Sequence, residues 1–207
     1  MKPLEKIDMK KELKDLYNPS KKQVKIIEVP KMNFLMIDGS GDPNTSQGYK
    51  DAVEALFSLS YTAKFMMKKT KAVDYSVMPL EGLWWVDDMS NFSACRKDEW
   101  KWRAMIMQPE HVTEDFIAKA IEDLKKKKDL SSLSKIRFES FHEGMSAQIM
   151  YVGAYSDEGP TIKMIHEFIN KNHGTLDGKH HEIYLSDPRR TTPEKLKTII
   201  RQPLKKK

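Results

Sequence analysis

His180, Glu182 and Tyr184 alternate along Lys179 to Arg190, a stretch reading Lys-His-His-Glu-Ile-Tyr-Leu-Ser-Asp-Pro-Arg-Arg. His180 to Leu185 has the β-branched and aromatic content of a strand, and Asp187-Pro188 ends it as a turn. A strand sends successive side chains to opposite faces, so one face holds a carboxylate between an imidazole and a phenol. His181, Ile183 and Leu185 share the other face, which is mostly apolar and is expected to pack on helices. If the first face is walled in, Glu182 becomes an anion in a partly dry, aromatic setting. There a carboxylate can hold a cationic ligand or act as a base. Left open, the same residues make an ordinary solvated edge strand.

Other chemistry finds less support. His180 and His181 point to opposite faces, and His111, His142, His166 and His173 show no two-histidine-plus-carboxylate spacing. No metal and no cofactor is expected. Cys95 is the single cysteine, which excludes an internal disulfide and a cysteine-based zinc site and agrees with a cytoplasmic location. No Gly-x-Ser-x-Gly occurs, and nothing near Cys95 activates its thiol. The formal charge is +6, with basic clusters at Lys125–Lys128 and Lys205–Lys207. The first closes an apparent helix and the second is a tail, with no recognition helix, zinc finger or RNP signature, so no specific nucleic-acid partner is expected. Met1 to Asp15 is neither signal peptide nor anchor, and no run is long enough to span a bilayer.

At 207 residues, 39% hydrophobic and 32% charged, the chain suits one soluble domain with a substantial core. Met1 to Tyr17 has imperfect helical spacing, so residues 1–20 form an arm or helix and residues 21–207 the domain. Val24 to Val29 and Met32 to Ile37 are extended, and Asp38 to Pro43 is a tight turn into a helix running to about Met67. Tyr75 to Pro79 and Leu83 to Val86 follow, with a hairpin expected around Glu81-Gly82. Trp100 to Gln108 is a strand, and Thr113 caps a helix over Glu114 to Lys128. Lys135 to Phe141 and Gln148 to Ala154 are strands. Pro160 opens a helix that Gly174 closes. Leu196 to Pro203 is the last strand. The order strand, Gly/Asp turn, helix, strand, strand occurs twice. This predicts an α+β fold of two β-α-β-β units about a pseudo-twofold axis, with helices on one sheet face and a groove on the other.

Four stretches carry a resemblance. They are Gly153-Ala154-Tyr155-Ser156-Asp157-Glu158-Gly159-Pro160-Thr161, His181-Glu182-Ile183-Tyr184-Leu185-Ser186-Asp187-Pro188, Thr192-Pro193-Glu194-Lys195-Leu196-Lys197-Thr198 and Met105-Ile106-Met107-Gln108-Pro109. In this order they resemble the GyrI-like small-molecule-binding superfamily, in its stand-alone branch, over about Val24 to Leu204. The resemblance implies a ligand groove between the two units, with a strand glutamate, here Glu182, holding flat, often cationic compounds among aromatics. It implies for some stand-alone relatives hydrolysis of the cyclopropane of DNA-alkylating toxins, with that glutamate central. Plain binders and gyrase-modulating proteins belong to the same superfamily, so a drug sink and a gyrase partner stand as alternatives. No helix-turn-helix is present, which argues against transcriptional activation. In this reading Glu182 is the base and Tyr155 or Tyr184 the donor to a developing oxyanion. Trp85, Trp100, Trp102, Tyr151, Tyr184 and His180 are the expected ligand wall.

Overall fold

The computed structural model describes residues 3–89 and 94–206, with side chains throughout except at 94–96. The Cys95 side chain therefore lies outside the described residues. The chain opens with strand β1 (Glu5–Ile7) and two single-turn helices, α1 (Met9–Glu12) and α2 (Lys14–Tyr17). Next come β2 (Lys25–Val29), β3 (Met32–Ser40), the long helix α3 (Gln47–Lys71), β4 (Val73–Tyr75) and β5 (Leu80–Trp85). β6 (Lys101–Gln108), α4 (Glu114–Lys125), β7 (Arg137–Phe141) and β8 (Gly144–Val152) follow. The chain ends with α5 (Gly159–Lys171), β9 (Gly174–Leu176), β10 (His180–Tyr184) and β11 (Lys197–Lys206).

Nine strands form one sheet, eight of them in the order β2-β8-β11-β10-β5-β6-β3-β7 with β9 added on β11, and its paired neighbours are antiparallel. The fold is α+β. Outward from the β5–β10 seam, one half runs β5, β6, β3 and the other β10, β11, β8. Each half thus places its second strand inside, its third next and its first outside, with α3 or α5 following that first strand. This is the repeat expected from the sequence. At the seam Glu182 pairs with Gly82, His180 with Trp84 and Tyr184 with Leu80. Gly82 holds the place in the first half that Glu182 holds in the second.

The helices pack where their apolar spacing demands. Ser46 caps α3 by accepting from the Tyr49 N–H at 3.2 Å, and Ala52, Ala55 and Ala63 let its backbone approach the sheet. Thr113 caps α4 in the same way, accepting from Phe116 N–H. Ile165 and Ile169 of α5 pack on Ile149 and Ile200 of the sheet. Ile200 is the register partner of Glu182, and Tyr49 of α3 lies against Trp84 and Trp102. Both helices therefore cover the face that bears Glu182.

That reverses one expectation: the face of His181 and Ile183 does not pack on the two helices. The end of the N-terminal segment covers it, with Leu16 and Tyr17 buried in the main core. Three local expectations also change. Glu81-Gly82 is inside β5 and not a hairpin turn, because Gly82 must sit flat under the Trp84 ring. The α5 helix ends at Asn172, with His173 taking the left-handed turn at φ 58°. Gly174 instead allows close approach, since a Cβ there would lie 2.9 Å from the Ile169 side chain. Among the described residues no helix is long and apolar enough to cross a membrane.

Candidate functional site: a carboxylate between two helices

Glu182 sits at the middle of β10, on the seam between the halves. Its side chain keeps 12% of its surface exposed. His180 Nε2 lies 3.1 Å from Oε1, and the Tyr184 hydroxyl donates to Oε2 at 2.7 Å. Residues two apart on a strand share a face, so strand geometry alone brings this trio together. Trp84 Nε1–H donates to the Tyr184 oxygen at 3.1 Å, completing a relay from indole to phenol to carboxylate. The indole reaches that position by lying across Gly82. A Cβ at 82 would fall 2.7 Å from Trp84 Nε1.

Aromatic rings wall this group. Tyr49 packs at 5.7 Å from Trp84 and edge-on at 5.0 Å from Trp102, and Trp100 lies 5.5 Å from Trp84. Tyr155 meets Tyr184 edge-to-face at 5.6 Å, a favoured aromatic geometry. Lys97, in the turn Ala94–Glu99, holds its ammonium 5.4 Å from the Trp100 ring.

The electrostatics separate two carboxyl groups. Burial pushes Glu182 up, but the hydrogen bond and charge of His180, the Tyr184 hydroxyl and Lys97 together outweigh it and hold Glu182 below the usual carboxylate range. Glu158, at the start of α5, is pushed up to about 9 by burial and then by the Glu182 charge. Two nearby carboxylates in a dry setting do not both ionise, so at neutral pH Glu182 is the anion and Glu158 the acid. Burial and the Glu182 charge also keep the Tyr184 phenol protonated. Tyr155 is raised to about 12 by burial, Glu158 and Glu182. Both phenols are donors at neutral pH.

The opposite face of β10 holds a second ionic group. His181 Nδ1 lies 2.9 Å from Glu143 and Nε2 3.0 Å from Glu81, while Arg201 donates to the other Glu143 oxygen at 3.0 Å. Tyr17 donates to Glu81 at 2.7 Å. Arg201 also donates to Gln148 Oε1 and the Leu16 carbonyl, and Gln148 Nε2 donates to the Asp15 carbonyl. Burial lowers His181 but its two carboxylates raise it further, to about 9; burial raises Glu143 but His181 and Arg201 bring it to about 2.

Of the residues singled out in the sequence, Glu182, His180, Tyr184 and Tyr155 come together, with Trp100 beside them. Trp102 lies one ring further out, under Tyr49 and against Gly39. Tyr151 folds over Gly153 and donates to the Ala154 carbonyl. Trp85 is on the wrong face, because strand alternation sends it away from Trp84; there it carries the Lys179 ammonium at 3.3 Å from its ring. Tyr49 and Glu158 were missed, and the order of Trp84 and Trp85 left open which of the two faces Glu182. Gly82 two residues before Trp84 is the available signal for a ring folded back along the strand. Tyr49 reads as part of the α3 core stripe, and Glu158 as a solvated acid at a helix start. Among the described residues no group of three or more His, Cys, Asp or Glu side chains is arranged for a metal. Two surface concavities, of about 280 Å³ beside Asp51 and Asp129 and about 440 Å³ beside Val24 and Phe168, share no lining residue with the Glu182 cluster.

Proteins of known structure share this fold. An uncharacterized conserved protein from Listeria innocua is 41% identical, with 96% of this chain and 100% of that one aligned at a TM-score of 0.89. A hydrolase from Listeria innocua is 40% identical over 96% of this chain and 100% of that one, at a TM-score of 0.84. The C-terminal domain of EcmrR shares the fold at 10% identity, over 89% of this chain and 98% of that domain, at a TM-score of 0.56. No curated protein matches the chain. The profile of the GyrI-like small molecule binding domain matches residues 22–205, so the chain belongs to the GyrI-like family.

Proposed function

We propose that this small-molecule-binding domain takes flat hydrophobic or cationic compounds between α3 and α5 and opens the cyclopropane of DNA-alkylating toxins with water. The observation that carries the reading is Glu182 itself: a mostly buried carboxylate, ionised at neutral pH, with aromatic rings around it and, among the described residues, only His180 and Tyr184 bonded to its oxygens. The name hydrolase borne by a relative of 40% identity supports catalysis.

The substrate would be a cyclopropane fused to a dienone. Water attacks the ring methylene, forming a C–O bond, while the strained C–C bond breaks and its electron pair converts the dienone to a phenolate. Glu182 takes the proton from water, and the phenolate oxygen takes a proton from solvent. Tyr155 donates a hydrogen bond to that oxygen as charge develops, while the rings hold the planar drug. A second reading has its own support. His180 and Tyr184 lower the proton affinity of Glu182, which suits holding a cation better than acting as a base. In that reading the protein sequesters drug without turnover.

Glu182→Gln separates the two. With drug in large excess, mass spectrometry of the water adduct should show multiple turnovers by the wild type, reduced roughly 10²–10⁴-fold in the variant. Absence of turnover by the wild type leaves binding alone. Equal turnover in both removes Glu182 from the mechanism.

A further inference from the structure

Glu158 is the buried group that the reaction above does not use. It retains 4% exposure, and among the described residues its buried Oε1 has no hydrogen-bond partner. Thr198 lies beside it, and the Thr198 hydroxyl is likewise buried outside hydrogen-bond geometry. Thr198 is the register partner of Tyr184, whose hydroxyl holds Glu182. Glu158 thus stands over the strand beside the anion, on the face that receives ligand. A buried carboxyl oxygen without a partner is uncommon, and this one is free to bond a group that enters the site.

The groups facing Glu158 come from several elements. Glu182 and Tyr184 face it from β10, Tyr151 from β8, Tyr155 from the turn before α5, and Lys97 from the turn before β6. Tyr49 of α3 faces Glu182 rather than Glu158, and His180 bonds Glu182 on its other oxygen. Lys97 is the cation nearest in effect, and it does not offset burial and the Glu182 charge. The free site therefore holds one negative charge and one proton on two carboxyl groups.

We propose that a cationic ligand bound at Glu182 displaces the proton of Glu158, so that the site offers one carboxylate to a neutral ligand and two to a cation. The inference rests on the ligand-binding reading of Glu182. A positive charge placed among the rings supplies what burial removed, and it favours the ionised form of both acids. A neutral ligand supplies none and leaves the proton in place, where the Glu158 O–H can donate to a carbonyl oxygen. By linkage, the ligand that expels a proton binds more tightly as protons become scarce. One site thereby accommodates both ligand classes without moving the backbone.

Calorimetry decides the matter with two probes of the same flat shape. Ethidium is a permanently charged phenanthridinium, and 6-phenylphenanthridine is its neutral counterpart. At pH 7.5, ethidium binding to the wild type should release about one proton, read from the enthalpy difference between phosphate and Tris buffers, and the neutral probe should release none. The ethidium Kd should fall about tenfold from pH 7 to pH 8. In Glu158→Gln the proton release and the pH slope should vanish. Ethidium binding with buffer-independent enthalpy, or release that persists in Glu158→Gln, overturns the inference while leaving the Glu182 site intact. If neither probe binds the wild type, the inference and the ligand-binding reading fall together. Should Glu158→Gln fail to fold, the wild-type buffer comparison alone decides.

Discussion

The two faces of β10 hold the same ingredients and put them to opposite use. On one, His181 stands with Glu81, Glu143 and Arg201: two cations against two carboxylates, every polar end bonded and Tyr17 closing the outer side. On the other, His180 stands with Glu182 and Glu158, where a carboxyl oxygen lacks a partner and one acid keeps its proton. Balanced charge with complete bonding gives a rigid interior. Unbalanced charge with incomplete bonding gives a place for a ligand. Composition does not distinguish the two clusters; saturation does.

Breaking the saturated cluster should produce the largest loss of stability. Glu143→Gln leaves His181 and Arg201 without their shared counter-charge, and removing one partner of a buried ion pair costs about 3–5 kcal/mol. Denaturant melts should show that loss, whereas dye affinity per folded molecule should stay at the wild-type level. A stable Glu143→Gln with impaired binding would reverse the roles assigned to the two faces.

The second test uses pH. The folded His181 is raised to about 9, so its contribution is complete below its ordinary value near 6.5 and is lost as pH rises towards 9. Glu143 is lowered to about 2, so its contribution is complete above about 4.5 and is lost as pH falls towards 2. The saturated cluster is therefore strongest between these limits, and the His181 share of the alkaline loss is about 3 kcal/mol at most. Glu158 is raised, so it too loses stability as pH climbs from 4.5 to about 9. Melting temperature should decline from pH 6.5 to 9, and the decline should be shallower in Glu158→Gln. An identical slope in both would remove the protonated acid from the open cluster.

The smallest effect separates the adjacent tryptophans. Trp84→Phe should remove most of the ligand-induced fluorescence change, because its indole bonds Tyr184. Trp85→Phe should leave that change saturable at the same Kd. It should cost only the half-buried Lys179 cation–π contact, about 0.5–2 kcal/mol. Equal quenching in both variants would place the ligand elsewhere.

Much of this was legible in the sequence, since periodicity survives wherever an element is long. The repeat, the strand of Glu182 and the trio on its face all follow from spacing of 2 and 3.6. What was not legible depends on contacts between distant segments. Which face the helices cover is decided by α3 and α5 packing across 100 residues. The burial of Glu158 depends on β11 and β10 lying beneath it. His181 reads as an apolar-face residue because its two charged partners come from β5 and the turn after β7. Tyr155 packs on Tyr184 as expected of a wall residue, while Trp85 exchanges places with Trp84 through a shift of one residue.

The family profile begins at residue 22, yet the interior ionic group is also hydrogen-bonded from upstream of that point. Tyr17, the Leu16 carbonyl and the Asp15 carbonyl bond Glu81, Arg201 and Gln148. A relative that begins at the equivalent of residue 22 would inherit three buried polar groups each short of one hydrogen-bond partner. Evolution should then treat the leading segment and this scattered set as one heritable character. Positions 17, 81, 143, 148 and 201 are expected to change in concert among homologues or to stay fixed, while Glu182 drifts independently of all five.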